Sequence, residues 1–185
     1  MDTASIRLTF ARLAPRTDSG SPSEDDIIAL YDRLRVPLLR YLACCRVPVT
    51  DAEEIVQEVF LLLFQRRDKL DREPAGWVFK AAHNYVLKHR ERNRREAGSA
   101  DASPRALELL VDKRAWADAA FEERERRNTL TAVVRALPEQ DQHCLHLRAE
   151  GLRYREIAEV LGMSLGWVAN SLARSIARIG RADAR

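Results

Sequence analysis

The stretch Leu137–Ile179, LPEQDQHCLHLRAEGLRYREIAEVLGMSLGWVANSLARSIARI, constrains this chain more than any other. Its apolar residues fall into three short helical bursts. Cys144, Leu145 and Leu147 belong to the first, which Gly151 ends. Ile157, Ala158 and Leu161 form a second burst of about two turns. Gly162 follows at once, where a left-handed residue lets the chain reverse after a helix. Ser164 then stands where an N-cap oxygen is wanted. Leu165, Val168, Leu172 and Ile176 carry helical spacing through the third burst. A two-turn helix, a tight glycine turn and a longer capped helix are the sequence form of a helix-turn-helix. The small Ala158 lets the two helices cross closely. An αα-corner in a helical domain shares part of this pattern, but the turn glycine, the cap and both spacings agree on the sharper reading. In that reading the third helix enters a DNA major groove and presents Trp167, Asn170, Ser171 and Arg174.

With 185 residues, the chain has room for one ordinary domain or two small ones. Hydrophobic residues at 46% and charged ones at 32% place it among soluble helical proteins. Aromatics make up 6%, and no run of alternating β-branched residues is long enough for a sheet, so the expected class is all-α. A net charge of +3 is weak support for a polyanion partner, and the distribution of charge has to decide. Three cysteines, with Cys44 and Cys45 adjacent, build no disulfide framework and fit reduced thiols in a cytoplasm. His143, Cys144 and His146 lie close in sequence, but no second cluster completes four ligands, so no metal or other cofactor is expected. No apolar run approaches the roughly 20 residues that span a bilayer, and no signal peptide opens the chain. No nucleophile–base pair or paired carboxylates stand out, which disfavours an enzyme.

Residues 1–24 end in a Ser/Gly/Pro/Asp tract and read as a flexible extension. From Asp25, residues Ile27 through Leu42 give an amphipathic helix that Pro37 kinks or divides. Thr50 or Asp51 is placed to cap the next helix, DAEEIVQEVFLLLFQRR. Its first half carries Asp51, Glu53, Glu54 and Glu58, which suit a helix start in solvent and equally a docking surface for a basic partner. A third helix is expected from Pro74 or Ala75 to about Arg95, ending in KHRERNRR at 88–95. Five bases against Glu91 complement the helix dipole, and they also fit phosphate contacts beside stacking aromatics. Residues 97–116 lose periodicity and read as a linker with one helical turn near Leu107–Val111. A further helix follows from Ala117 until Pro138 stops it.

Two sets of these motifs resemble bacterial sigma factors, especially the short extracytoplasmic-function group. LP at 137–138, EGL at 150–152, YREIAEVLG at 154–162 and S-x-G-x-V at 164–168 resemble the fourth region of that family. DAEEIVQEVF at 51–60 and WVFKAAHN at 77–84 resemble its second region, in the right order and with a suitable gap. The resemblance implies a second-region domain over 25–96, a linker over 97–116 and a fourth-region helix-turn-helix domain over 117–185. It implies an alternative sigma factor that performs no chemistry and directs core RNA polymerase to chosen promoters. Asp51, Glu54, Gln57 and Glu58 would then bind the polymerase. Trp77, Lys80, His83, Asn84, Lys88, Arg90 and Arg92 would hold the minus-ten element as a single strand. Ser164, Trp167, Asn170, Ser171, Arg174 and Arg178 would read the minus-thirty-five element. The same resemblance implies a chain that is monomeric when free, inserts in no membrane, and belongs to a group commonly held inactive by an anti-sigma factor.

The chain departs from the family pattern at several positions. Lys or Arg is usual where Ala169 and Ser171 stand, and a base where Ile176 stands. Trp167 replaces a small residue, and Lys88 replaces an acid. Arg153 takes the place of a capping Ser, a loss of about 1 kcal/mol if nothing compensates. With Arg174 and Arg178 as the remaining bases of the recognition helix, duplex binding is expected to be weak. A sigma-like interaction module with little DNA reading is one alternative. A helix-turn-helix repressor with an N-terminal sensor domain is another, to which the acidic and basic helices of 51–95 lend nothing.

Overall fold

A computed structural model of the protein describes residues 23–66, 74–96 and 121–183. Among them are seven α-helices: α1 Glu24–Cys44, α2 Val49–Arg66, α3 Pro74–Glu96, α4 Phe121–Arg135, α5 Glu139–Ala149, α6 Tyr154–Leu161 and α7 Leu165–Asp183. The all-α expectation holds. The N-terminal extension, the linker with its turn near Leu107–Val111, and the start of the helix at Ala117 lie outside the described residues.

Local chemistry accounts for most helix ends. Ser23 caps α1 reciprocally: its hydroxyl accepts from the Asp26 amide, and the Asp26 carboxylate accepts from the Ser23 amide. Pro37 neither ends nor divides α1, which runs unbroken for 21 residues. Leu34, Leu38, Leu39 and Leu42 on either side of it are buried, and that burial outweighs the roughly 3 kcal/mol an internal proline costs. The helix closes with the Arg46 amide donating to the Ala43 carbonyl and the Val47 amide to the Leu42 carbonyl. Arg46 takes the left-handed position, φ 61°, usually given to glycine. The next helix starts at Val49, ahead of both proposed caps, and Thr50 instead donates to the Asp51 carboxylate at 3.0 Å. Pro74 opens α3, where its missing N–H costs nothing.

The first three helices pack as one bundle. Phe60, Leu63, Phe64 and Phe79 are fully buried, and Tyr31 meets Phe60 edge-on at 5.0 Å between centroids. Helices α4 to α7 form a second bundle, with α7 lying against α4, α5 and α6. The turn between α6 and α7 is the one the glycine spacing predicts: Gly162 is left-handed at φ 66°, and Ser164 Oγ accepts from the Trp167 amide. Arg153 supplies no cap to α6, but the Glu156 carboxylate accepts from the Arg153 amide at 2.6 Å and keeps half of a capping box.

The bundles are in contact. α1 lies against α5, and α3 against α6, and the apolar core runs continuously from one bundle into the other. Arg40 on α1 pairs with Glu150 at the end of α5, 3.2 Å away, and Arg90 on α3 pairs with Glu139 on α5.

Candidate nucleic-acid and polymerase interfaces

Helical geometry divides α3 into two faces. Phe79, Ala82, His83, Val86 and Arg90 recur at three- and four-residue steps and turn inward. Lys80, Asn84, Lys88 and Arg92 recur at steps of four and are all exposed. They make a stripe about 18 Å long of two ammonium groups, an amide and a guanidinium. Leu87, 50% exposed, sits beside it and with Lys88, Glu91, Arg92 and Arg95 lines a shallow concavity. The Lys88 ammonium lies 5.9 Å from the centre of the half-buried Tyr85 ring. Glu91 holds Arg94 and Arg95 at 2.7 and 3.0 Å, in solvent where such pairs contribute little.

Three further candidates from this helix lie elsewhere. Trp77 is half-buried against the core. His83 is 8% exposed, and its Nδ1 shares a hydrogen bond with the Tyr41 hydroxyl at 2.8 Å. Arg90 donates to the Cys45 carbonyl at 2.9 Å while it pairs with Glu139. In this arrangement both groups are engaged between the bundles and are turned away from the stripe.

On α2, Asp51, Glu54 and Glu58 share a face at steps of three and four. Glu54 and Glu58 are exposed and Gln57 is half-buried beside them. Asp51 meets His89 Nε2 at 2.8 Å, and Glu53, off this face, pairs with Arg35 at 3.0 Å. Glu58 accepts from Tyr85; burial first, then this carboxylate, raises the phenol's pKa. Two of the acids therefore tie α2 to α3 while their helix keeps a negative outer face.

The last helix is built differently. Val168, Ser171, Leu172 and Ser175 face inward. Ser171 donates to buried Asp141 at 2.6 Å, and Arg174 reaches the same oxygen at 3.3 Å. Ser171 is therefore a packing contact in this structure, and Arg174 is partly committed. Trp167 is half-buried against the core. Ser164, Asn170 and Arg178 are exposed, but so are Leu165, Ala173 and Ile176, the last at 58%. Asp141, the residue that organises this helix, has no signature in the sequence, because its partners lie 30 and 33 positions away.

His143 and Cys144 do not converge on a common point: the imidazole faces the seam between the bundles and the thiol faces the Val168 carbonyl. The adjacent thiols of Cys44 and Cys45 are buried, and desolvation pushes both pKa values up, that of Cys45 to about 12. That leaves them poor nucleophiles. Among the described residues, no helix is long and apolar enough to cross a membrane.

A helical bundle with a basic, amide-bearing stripe, joined to a helix-turn-helix, defines a class of nucleic-acid-binding proteins. Comparison narrows the class. Residues 30–96 match the family described as Sigma-70 region 2, and residues 127–179 match Sigma-70, region 4. The two matches cover well over half of the chain, which belongs to the sigma-70 family. No curated protein sequence matches it significantly. Among solved structures, CnrH in complex with the cytosolic domain of CnrY is similar at 21% identity and TM-score 0.57, covering 97% of this chain and 96% of that one. The sigma factor RpoE in complex with the anti-sigma factor NepR, from Bartonella quintana, is similar at 17% identity and TM-score 0.56, covering 83% and 96%. These likenesses show the fold. The family makes the protein an alternative sigma factor, a DNA- and polymerase-binding factor of transcription initiation.

Proposed function

We propose that this is a sigma factor of the short extracytoplasmic-function kind, cytoplasmic and monomeric when free, whose two bundles take separate parts in initiation. The outer face of α2 (Asp51, Glu54, Gln57, Glu58) binds core RNA polymerase by charge and hydrogen bonding. The α3 stripe of Lys80, Asn84, Lys88 and Arg92 holds the single strand of the minus-ten element. Exposed cations track phosphates, and the amide and flat neighbouring side chains meet bases. This stripe is the observation that carries the proposal. Trp77, His83 and Arg90 join it once the bundles part. Ser164, which caps α7, and Trp167, Asn170, Arg174 and Arg178 along it contact the minus-thirty-five element.

The packed arrangement cannot serve both elements at once. About 25 base pairs separate positions minus ten and minus thirty-five, or about 85 Å at 3.4 Å per pair. A compact chain of this length has a radius of gyration of only about 16 Å. Reading both elements therefore requires α3 to leave α6 and α1 to leave α5. A partner that binds across the two bundles would oppose this, and the solved relatives held by protein partners lend support to an anti-sigma factor here.

Binding of core polymerase to the full chain, followed by transcription from a forked promoter, tests the proposal. Glu54→Lys is expected to abolish core binding. Lys80→Ala with Lys88→Ala is expected to keep core binding and lose promoter opening. Unchanged transcription in both variants would contradict it. The alternative of an interaction module that reads DNA poorly draws on one observation, the commitment of Ser171 and Arg174 to Asp141.

A further inference from the structure

The seam between the bundles holds a cluster of rings contributed from both sides. Tyr41 of α1, His83 of α3 and His143 of α5 meet with centroids 6.3 Å apart (Tyr41–His83), 6.0 Å (Tyr41–His143) and 6.2 Å (His83–His143). The Tyr41 hydroxyl takes up His83 Nδ1. His143 Nε2 is left buried with no hydrogen-bond partner among the described residues. Its nearest carboxylate oxygen, Glu139 Oε1, stands 3.7 Å away and already faces Arg90. The other titratable or charged groups turned toward the cluster are Cys44 and Cys45 at the end of α1, Arg46 just after it, and His146 on α5. A proton on His143 would add a cation beside Arg90 without adding a counterion.

We infer that Tyr41, His83 and His143 form a proton-operated latch: the bundles stay packed while both imidazoles are neutral, and part when they are protonated. Burial lowers the His143 pKa from 6.5 to about 4; Glu139 opposes this, while Arg90, His83 and His146 add to it. Burial, then Arg90, lowers His83 as well. Separation exposes both rings and returns them toward 6.5. Above that value neither state binds a proton, and packing is insensitive to pH. Below it only the separated state gains one, so packing weakens progressively as the pH falls toward 4. From about pH 7.5 to about 5.5, His143 alone lowers the ratio of packed to separated chains about tenfold, and His83 acts in the same direction. The latch takes its meaning for initiation from the proposed opening, but its test needs neither polymerase nor DNA.

Small-angle scattering of the full chain from about pH 7.5 to about 5, with circular dichroism on the same samples, is the test. The radius of gyration is expected to rise below about pH 6.5 while helix content holds, and His143→Gln is expected to flatten that rise. A constant radius, a rise undiminished in the variant, or expansion only in step with loss of helix would each overturn the latch. Proton NMR of the unaltered chain covers the case in which the variant folds poorly. The ring contact between Tyr41 and His143 is expected to be lost as His143 takes up its proton, with helix content unchanged, and a contact that persists through that titration overturns the latch.

Discussion

Helices α3 and α7 are the two helices proposed to face DNA, and they present opposite kinds of surface. α3 directs Phe79, Ala82 and Val86 inward and leaves Lys80, Asn84, Lys88 and Arg92 exposed on one side. α7 turns Ser171 inward, lends Arg174 to Asp141 and exposes Leu165, Ala173 and Ile176. The first surface suits a flexible single strand, which asks for cations and donors at loose spacing. The second has few phosphate contacts to offer a duplex, where each contact counts. Promoter choice should therefore rest more on the minus-ten element than on the minus-thirty-five element.

Removing the stripe breaks the contrast most severely. Replacing Lys80, Lys88 and Arg92 together by Ala should lower single-strand affinity about a hundredfold at about 0.1 M salt and reduce the log–log salt slope by about 2. Fluorescence anisotropy over a salt series measures both. Asp141→Ala should cost about 1–3 kcal/mol, read by urea unfolding through Trp167, because the buried Ser171 hydroxyl loses its acceptor. An unchanged midpoint would mean that Ser171 finds another partner. Ala169→Arg or Ile176→Arg should sharpen α7, each steepening the duplex salt slope by about 0.9 and raising affinity up to about eightfold at about 0.1 M salt. Arg46→Gly should stabilise the first bundle by about 0.5–1 kcal/mol, since glycine takes the left-handed position without strain.

The helices were legible in sequence because their ends are local chemistry. Gly162, Ser164 and Pro74 each act within a turn of the residues they serve, and apolar spacing alone marks the inner faces. That spacing also marks polar residues that turn inward. His83 and Arg90 lie one and three turns from Phe79 on the inward side of α3, and Ser171 lies beside Leu172 on that of α7. In the packed arrangement helical phase turns all three inward, and His83 and Arg90 reach the proposed interface only when the bundles part. The seam itself was not legible. Arg90 with Glu139 and Arg40 with Glu150 join residues 49 and 110 positions apart, and no local pattern reports such pairs. The effect of Pro37 was open for a similar reason, because the burial that keeps α1 whole is tertiary.

Run-off transcription with core polymerase and this protein on a pool of genomic fragments, with the transcripts sequenced, decides whether the chain selects promoters and by which element. New start sites that share a well-defined minus-ten element and a looser one near minus thirty-five are expected, as is their loss with Glu54→Lys. Firm polymerase binding without any shared start site would contradict promoter selection by this chain.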